Sequence, residues 1–307
     1  MSKLKIAITG ASGMVGSYLS EFLIKAGHTV SRLVRSTSTP SNSNCIQWNP
    51  EAGTIDLEKL EGHDALVHLA GASIAGRRWS RQYKDVIFKS RIQGTSFACE
   101  VLGKLKRPPK NFLCASAVGF YGNRPGAKLI DEKSLPGTGF LSHVCEEWEK
   151  IAINAQTFGV RVVCMRFGMI LSSKGGALAQ MLPIFKWGLG GKLGKGQQMI
   201  SWISLPEIPS VVLHLIHHTE ISGAVNVVSP KAVENKEFTQ ILGKVLKRPA
   251  IFPVPSSGVK LLFGEMGEEL LLSGARVIPR RLQDSGYEFI YPDLEKALEN
   301  LLKKEES

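Results

Sequence analysis

Thr9-Gly10-Ala11-Ser12-Gly13-Met14-Val15-Gly16 follows directly on the apolar run Leu4-Lys5-Ile6-Ala7-Ile8. A buried strand that breaks into regularly spaced glycines and then becomes a helix suits close approach by a phosphate. Gly10 permits the tight turn. Gly13 lets backbone N–H groups come up to a pyrophosphate with no Cβ in the way, and Gly16 lets the helix pack close to the strand. The helix N-terminus then points at the anion. Val15, Leu19, Phe22 and Leu23 recur at helical spacing after the turn, the context that a bare glycine triplet lacks. The stretch therefore predicts a nucleotide site before any chemistry is known.

Working outward, the N-terminal half alternates apolar runs with helical patterns. Strands are expected at 28–34, 45–48, 64–71, 111–116 and 160–166. Helices are expected from the glycine turn to about Ala26, from about Ser80 to Lys106, and over 141–157. Pro108-Pro109 stops the long one. Strands separated by helices of this length build right-handed βαβ units. The expected fold class is α/β, a doubly wound parallel sheet of Rossmann type with a smaller α-rich C-terminal part on the substrate side. The nucleotide domain is expected over 1–167, with a returning strand near 224–228, and the smaller domain over 168–307. Past Gly168 the pattern loosens. Residues 175–176 and 188–196 read as loops, the latter, with Lys192 and Lys195, either as a substrate-side loop or as flexible surface.

Composition narrows the partners. At 307 residues and 43% hydrophobic, the chain can bury a substantial core. No apolar stretch reaches the roughly 18 residues of a membrane span, and the first strand leaves no room for a leader, so no membrane is expected. Five cysteines, odd in number and without a CxxC pair, read as reduced thiols in a reducing compartment, cytoplasmic by default. His214, His217 and His218 could share a helix face, but no cysteine or carboxylate cluster joins them, so no metal is expected. Lys+Arg 38 against Asp+Glu 27 gives a net charge of +11, which favours an anionic, phosphate-bearing small molecule. The basic clusters around Arg77 and Arg107 have no interleaved aromatic platform, so nucleic acid is not expected.

A dinucleotide site usually places an acid at the end of the second strand to bind the ribose 2′-hydroxyl. Here Ser31-Arg32-Leu33-Val34-Arg35-Ser36 offers none. Arg32 and Arg35 instead suit a 2′-phosphate, so NADP(H) is expected rather than NAD.

With the glycine turn, His68-Leu69-Ala70-Gly71 and Ala115-Ser116-Ala117-Val118-Gly119-Phe120-Tyr121-Gly122 in place, the chain resembles the extended short-chain dehydrogenase/reductases, among them the nucleotide-sugar epimerases. Trp79 with Ser90-Arg91, Cys145-Glu146-Glu147-Trp148-Glu149, residues 188–194, Ser201-Trp202-Ile203 and Pro279-Arg280-Arg281-Leu282 narrow the resemblance. They resemble an atypical branch of epimerase-family proteins with a C-terminal domain of unknown function. The resemblance implies that Gly10, Ala11, Ser12, Gly13, Met14 and Val15 hold the pyrophosphate, and Arg32 and Arg35 the adenosine phosphate. It implies that Leu69, Ala70 and Gly71 lie along the ribose and nicotinamide path. It also implies that Arg91, where the larger family often has asparagine, approaches the cofactor from the next helix. The resemblance further implies that Ser116 is the hydroxyl that orients a substrate carbonyl or alcohol.

The catalytic pattern of that family breaks here. Its members use Tyr-x-x-x-Lys as base and pKa-lowering partner, and no such spacing exists in this sequence. Alignment on Glu149 puts Leu141 at the tyrosine position and Cys145 at the lysine position. Three readings stay open. Tyr121, His143, Glu146 or Cys145 supplies the proton; or the nicotinamide and Ser116 suffice, for an oxidoreductase or epimerase-like enzyme; or the chain is an NADP-binding regulator without turnover.

Overall fold

The computed structural model describes residues 3–35, 44–126 and 128–303. Ser36, cited above beside the two arginines, lies outside them. Apolar runs buried on both faces form the centre of one eight-stranded sheet. Its strands are β1 (Lys5–Thr9), β2 (Thr29–Val34), β3 (Cys45–Asn49), β4 (Thr54–Ile55), β5 (Ala65–His68), β6 (Asn111–Ala117), β7 (Arg161–Phe167) and β8 (Gly223–Val227). Their order is β8-β7-β6-β5-β1-β2-β3-β4. Every neighbouring pair is parallel except β3 with β4. Such two-sided burial requires helices on both faces.

Those helices are α1 (Met14–Lys25), α2 (Arg81–Lys104), α3 (Phe140–Ile153) and, from the second half of the chain, α5 (Ile208–His217). Helix α1 packs beside α5, and α2 packs beside α3. Leu19 and Leu23 of α1, Phe97 and Leu102 of α2, Trp148 of α3 and Val211 and Leu215 of α5 all enter the sheet core. The Ser80 hydroxyl accepts the Tyr83 N–H at 3.1 Å and so fixes the start of α2.

The chain runs from β1 outward to β2 and β3, then crosses back to place β5 on the other side of β1. The strand order therefore reverses between β1 and β5. In an open parallel sheet, that reversal opens a crevice beyond the carboxyl ends of the strands, where ligands bind.

A second core holds Leu178, Leu182 and Phe185 of α4 (Gly176–Lys186) with Trp202 and with Phe238 and Leu242 of α6 (Asn235–Leu246). Leu294, Leu298 and Leu301 of α9 (Leu294–Lys303) complete it. Two further helices, α7 (Ser256–Phe263) and α8 (Glu265–Leu271), pack on one another. The stretch after Gly168 is more regular than its composition suggests. Met169–Leu171 pairs in parallel with Trp202–Ser204, and α4 follows directly on Gly175. Gly176, at φ +73°, and Pro183 hide that helix from a composition reading, while its apolar side still faces the core.

Candidate active site

The glycine turn caps β1 where the sheet order reverses. Gly10 has φ +67°, and a Cβ on it would lie 2.8 Å from the Leu69 carbonyl group and 2.9 Å from the Ala70 nitrogen. On Gly16 a Cβ would lie 2.2 Å from the Gly10 oxygen. Backbone thus packs on backbone, and only glycine fits at either position. Gly13 is the residue before α1. No side chain caps that helix and no acid stands in its first turn. Its first N–H groups face an environment that favours an anion.

A buried hydrogen-bond chain holds the far wall of this crevice. Thr9 Oγ1 accepts the N–H groups of Leu69 at 3.1 Å and Ala70 at 3.3 Å. Its own proton is then left for His68 Nδ1, 2.8 Å away. His68 Nε2 carries the ring proton and donates to Thr95 Oγ1 at 3.2 Å, which also accepts Trp148 Nε1–H at 2.7 Å. This tautomer follows from the network. Burial pushes His68 down to about 4, so the ring stays neutral. The resemblance pointed at Leu69, Ala70 and Gly71. It gave no sign that Thr9, Thr95 and Trp148 are what hold them.

Arg32 lies within β2, level with Ile8 of β1, and is partly exposed. Arg35 stands one residue beyond the end of β2 and is exposed. Among the described residues neither has a hydrogen-bond or ion-pair partner for its guanidinium. Since Leu33 pairs with Thr9, the last residue of β1, Arg35 stands further toward the crevice end of the sheet than Arg32.

Ser116 sits near the carboxyl end of β6, 3% exposed, and its hydroxyl donates to Glu149 Oε1 at 2.6 Å. Arg166 on β7 holds the same carboxylate with two bonds, Nε to Oε1 at 2.8 Å and Nη2 to Oε2 at 2.7 Å. Its Nη1 donates to the Tyr121 oxygen at 2.8 Å, and the Tyr121 hydroxyl donates to Asn226 Oδ1 at 2.7 Å. The guanidinium also lies 3.5 Å from the Phe120 ring centroid. Burial, against the opposing influence of Arg166, pushes the Tyr121 phenol up to about 12. Burial alone would discourage the Arg166 charge, but the Glu149 bonds and charge hold its pKa above the ordinary value. No spacing along the chain pointed to a pair between Glu149 and Arg166. An arginine directly after the apolar run Val162–Met165 was the available clue.

Leu141 and Cys145, the residues expected at the family's tyrosine and lysine positions, pack against Gly119. A Cβ on Gly119 would lie 3.3 Å from Leu141 Cβ and 3.8 Å from Cys145 Sγ. Burial pushes the Cys145 thiol up to about 11, which keeps it protonated at neutral pH. Arg91 comes to this side of the crevice. Its guanidinium carbon would lie 3.5 Å from a Cβ on Gly71 and stands 5.1 Å from the Trp148 ring centroid. Arg91 Nη1 donates to the Ala72 and Ile87 carbonyls, and among the described residues no carboxylate pairs with it. Of the other candidate proton donors, His143 stacks on Phe88 and Glu146 pairs with Lys150 at 3.1 Å.

Two clefts flank this region. One of about 770 Å³ is lined by Asn123, Lys195, Gln198, Glu234, Lys236 and Arg276, where the loop after β6 meets the C-terminal part. One of about 480 Å³ lies among Trp79, Lys84, Phe88, Phe140, His143 and Glu265. The glycine turn lines neither. Lys195 of the 188–196 loop reaches the larger cleft, and Gly175, just before α4, abuts Met14 of the turn. His214 stacks on His218 and bonds Ser285, and among the described residues no group of three ligating side chains could hold a metal.

Residues 6–227 match the model of the NAD dependent epimerase/dehydratase family, and residues 254–301 match a domain of unknown function, DUF1731. Epimerase family protein Mb2239 of Mycobacterium bovis is 41% identical over 300 residues, covering 97% of each chain. The crystal structure of human epimerase family protein SDR39U1 with NADPH superposes with a TM-score of 0.88 at 30% identity, covering 98% of this chain and 99% of that one. MoeE5 in complex with UDP-glucose and NAD has a TM-score of 0.75 at 17% identity, covering 99% of this chain and 100% of that one, a likeness of fold alone. From the glycine turn through the DUF1731 segment, the chain belongs to the NAD dependent epimerase/dehydratase family, among the epimerase family proteins that carry this C-terminal domain.

Proposed function

We propose that the chain binds NADP(H) in the crevice between β1 and β5 and acts on a small anionic molecule as an oxidoreductase or epimerase-like enzyme. The observation that carries this reading is the all-backbone packing of Gly10 and Gly16 against Leu69, Ala70 and the turn itself. That packing leaves an uncapped helix end free to meet a pyrophosphate. When bound, the nucleotide supplies or accepts a hydride. Residues 10–15 hold its phosphates, and Leu69, Ala70 and Gly71 line its ribose and nicotinamide path. Arg35, with Arg32 behind it, answers the 2′-phosphate. The NADPH complex of human SDR39U1 supports this choice of nucleotide.

Arg91 takes the electrostatic part of the missing lysine, as a cation without a carboxylate partner beside Cys145 and Gly71. Ser116 orients the substrate oxygen. With its own proton drawn to Glu149, it meets a substrate hydroxyl as an acceptor. Tyr121 stays protonated near neutral pH and positions Arg166. Lys195 and Arg276 in the larger cleft, where Lys236 pairs with Glu234, suit the anionic end of the substrate.

Calorimetric titration with NADPH and NADH tests the site. Tighter NADPH binding is expected. A preference for NADH overturns the role of the arginines, and binding of neither overturns the site itself. Oxidation of NADPH across a panel of carbonyl compounds and nucleotide sugars tests turnover. The apolar Leu141 and Cys145 favour a second reading, a non-catalytic NADP-dependent regulator, under which NADPH binds but stays unoxidised across the whole panel.

A further inference from the structure

Segments 184–192 and 248–254 lie side by side on the surface of the C-terminal part. Phe252 N–H donates to the Gly190 carbonyl at 3.0 Å, Val254 N–H to the Lys192 carbonyl at 2.9 Å, and Arg248 Nε to the Lys186 carbonyl at 3.0 Å. The Phe252 carbonyl presses so closely on Gly191 that no Cβ fits there. Backbone bonding therefore makes these two segments one unit.

The outward side of this unit is apolar. Trp187 is 82% exposed and Ile251 73%, and Ile184, Leu189 and Phe252 are each more than half exposed. The other four tryptophans, Trp48, Trp79, Trp148 and Trp202, are all buried. A cluster of large apolar side chains held in water by a rigid backbone marks a surface that meets something else. Lys192, Lys247 and Arg248 are exposed among them, and neither 184–192 nor 247–254 contains an Asp or Glu. None of these side chains lines either of the two clefts described above.

We propose that this face docks the protein peripherally on an anionic lipid surface. Trp187, Leu189, Ile251 and Phe252 enter the boundary between headgroups and acyl chains, where aromatic and aliphatic side chains gain most. Lys192, Lys247 and Arg248 meet the lipid phosphates. A second copy of the chain fits poorly, because self-docking sets these cations against one another. The attachment is peripheral, since no helix among the described residues is long and apolar enough to cross a membrane. The sequence expectation of no membrane partner rested on spans, to which a surface patch is invisible.

The test uses the full chain with vesicles of phosphatidylcholine, alone or mixed with phosphatidylglycerol. Expected is co-sedimentation only with the anionic mixture, weakening as salt rises. Brominated acyl chains should quench the emission of Trp187, the one exposed tryptophan. Trp187→Ser, and separately Lys247→Glu with Arg248→Glu, should each lower vesicle affinity by about tenfold or more at unchanged circular dichroism and NADPH affinity. No binding to anionic vesicles at low salt overturns the proposal, as does binding that the variants leave intact. Concentration-dependent self-association that Trp187→Ser abolishes, without vesicle binding, assigns the face to a second copy and overturns it too. Capture of an acidic protein without vesicle binding does the same.

Discussion

Ser116 Oγ donates to Glu149 Oε1 at 2.6 Å, and Arg166 holds both oxygens of that carboxylate. The hydroxyl proposed to orient the substrate is thus fixed by a buried ion pair joining α3 to β7. Removing one partner strands the other charge in the core. Glu149→Ala is expected to cost about 3–5 kcal/mol in urea denaturation, and adding Arg166→Met should restore part of it. A loss below about 1 kcal/mol in the single variant would show that water reaches and screens Arg166.

His68 gives the fold a defined acid weakness. Its folded pKa of about 4 lies below its ordinary 6.5, so the unfolded chain binds the proton more readily. The stability it contributes is complete above pH 6.5 and drains away as pH falls toward 4, by about 3 kcal/mol in all. Denaturation midpoints measured across that window should fall more steeply for the wild type than for His68→Gln. Parallel slopes would remove His68 from the account.

The glycines separate folding from binding. Gly16→Ala puts a Cβ 2.2 Å from the Gly10 oxygen, so α1 must shift, with stability falling by roughly 1–3 kcal/mol and NADPH binding lost. Gly13→Ala meets only the Gly10 oxygen at 3.3 Å and has an ordinary extended conformation at φ −76°. Its thermal midpoint should stay near the wild type while NADPH affinity drops about tenfold, because the new methyl obstructs the anion's approach to the helix end. Calorimetry beside a melting curve distinguishes the two effects.

Arg35 decides between the nucleotides. Arg35→Ser should weaken NADPH by about 1.5–3 kcal/mol, tenfold or more in Kd, and leave NADH affinity unchanged. Arg32→Ser should act in the same direction but less, since Arg32 lies further back along β2. Equal losses for both nucleotides would mean that the arginines read something other than the 2′-phosphate.

The fold was largely legible in the sequence because its determinants are local. Glycines that only a backbone approach requires, and apolar runs too short for core helices, mark β1, α1 and the parallel sheet. The α4 helix was not legible, since Gly176 and Pro183 mask a packing face that only Trp202 and Phe238 complete. The absence of Tyr-x-x-x-Lys could likewise be read directly, as could the arginines at the end of β2.

What the sequence determined by itself was the nucleotide turn, the family and the missing proton relay, each a matter of spacing along the chain. Only the tertiary structure decided where polar groups go once buried: Ser116 to Glu149, Tyr121 to Asn226 and Arg166, His68 between Thr9 and Thr95. Those partners stand 27 to 105 residues apart, and no local pattern encodes them. The physical reason is that a buried donor or acceptor must find a partner wherever the packing of apolar surfaces happens to bring one.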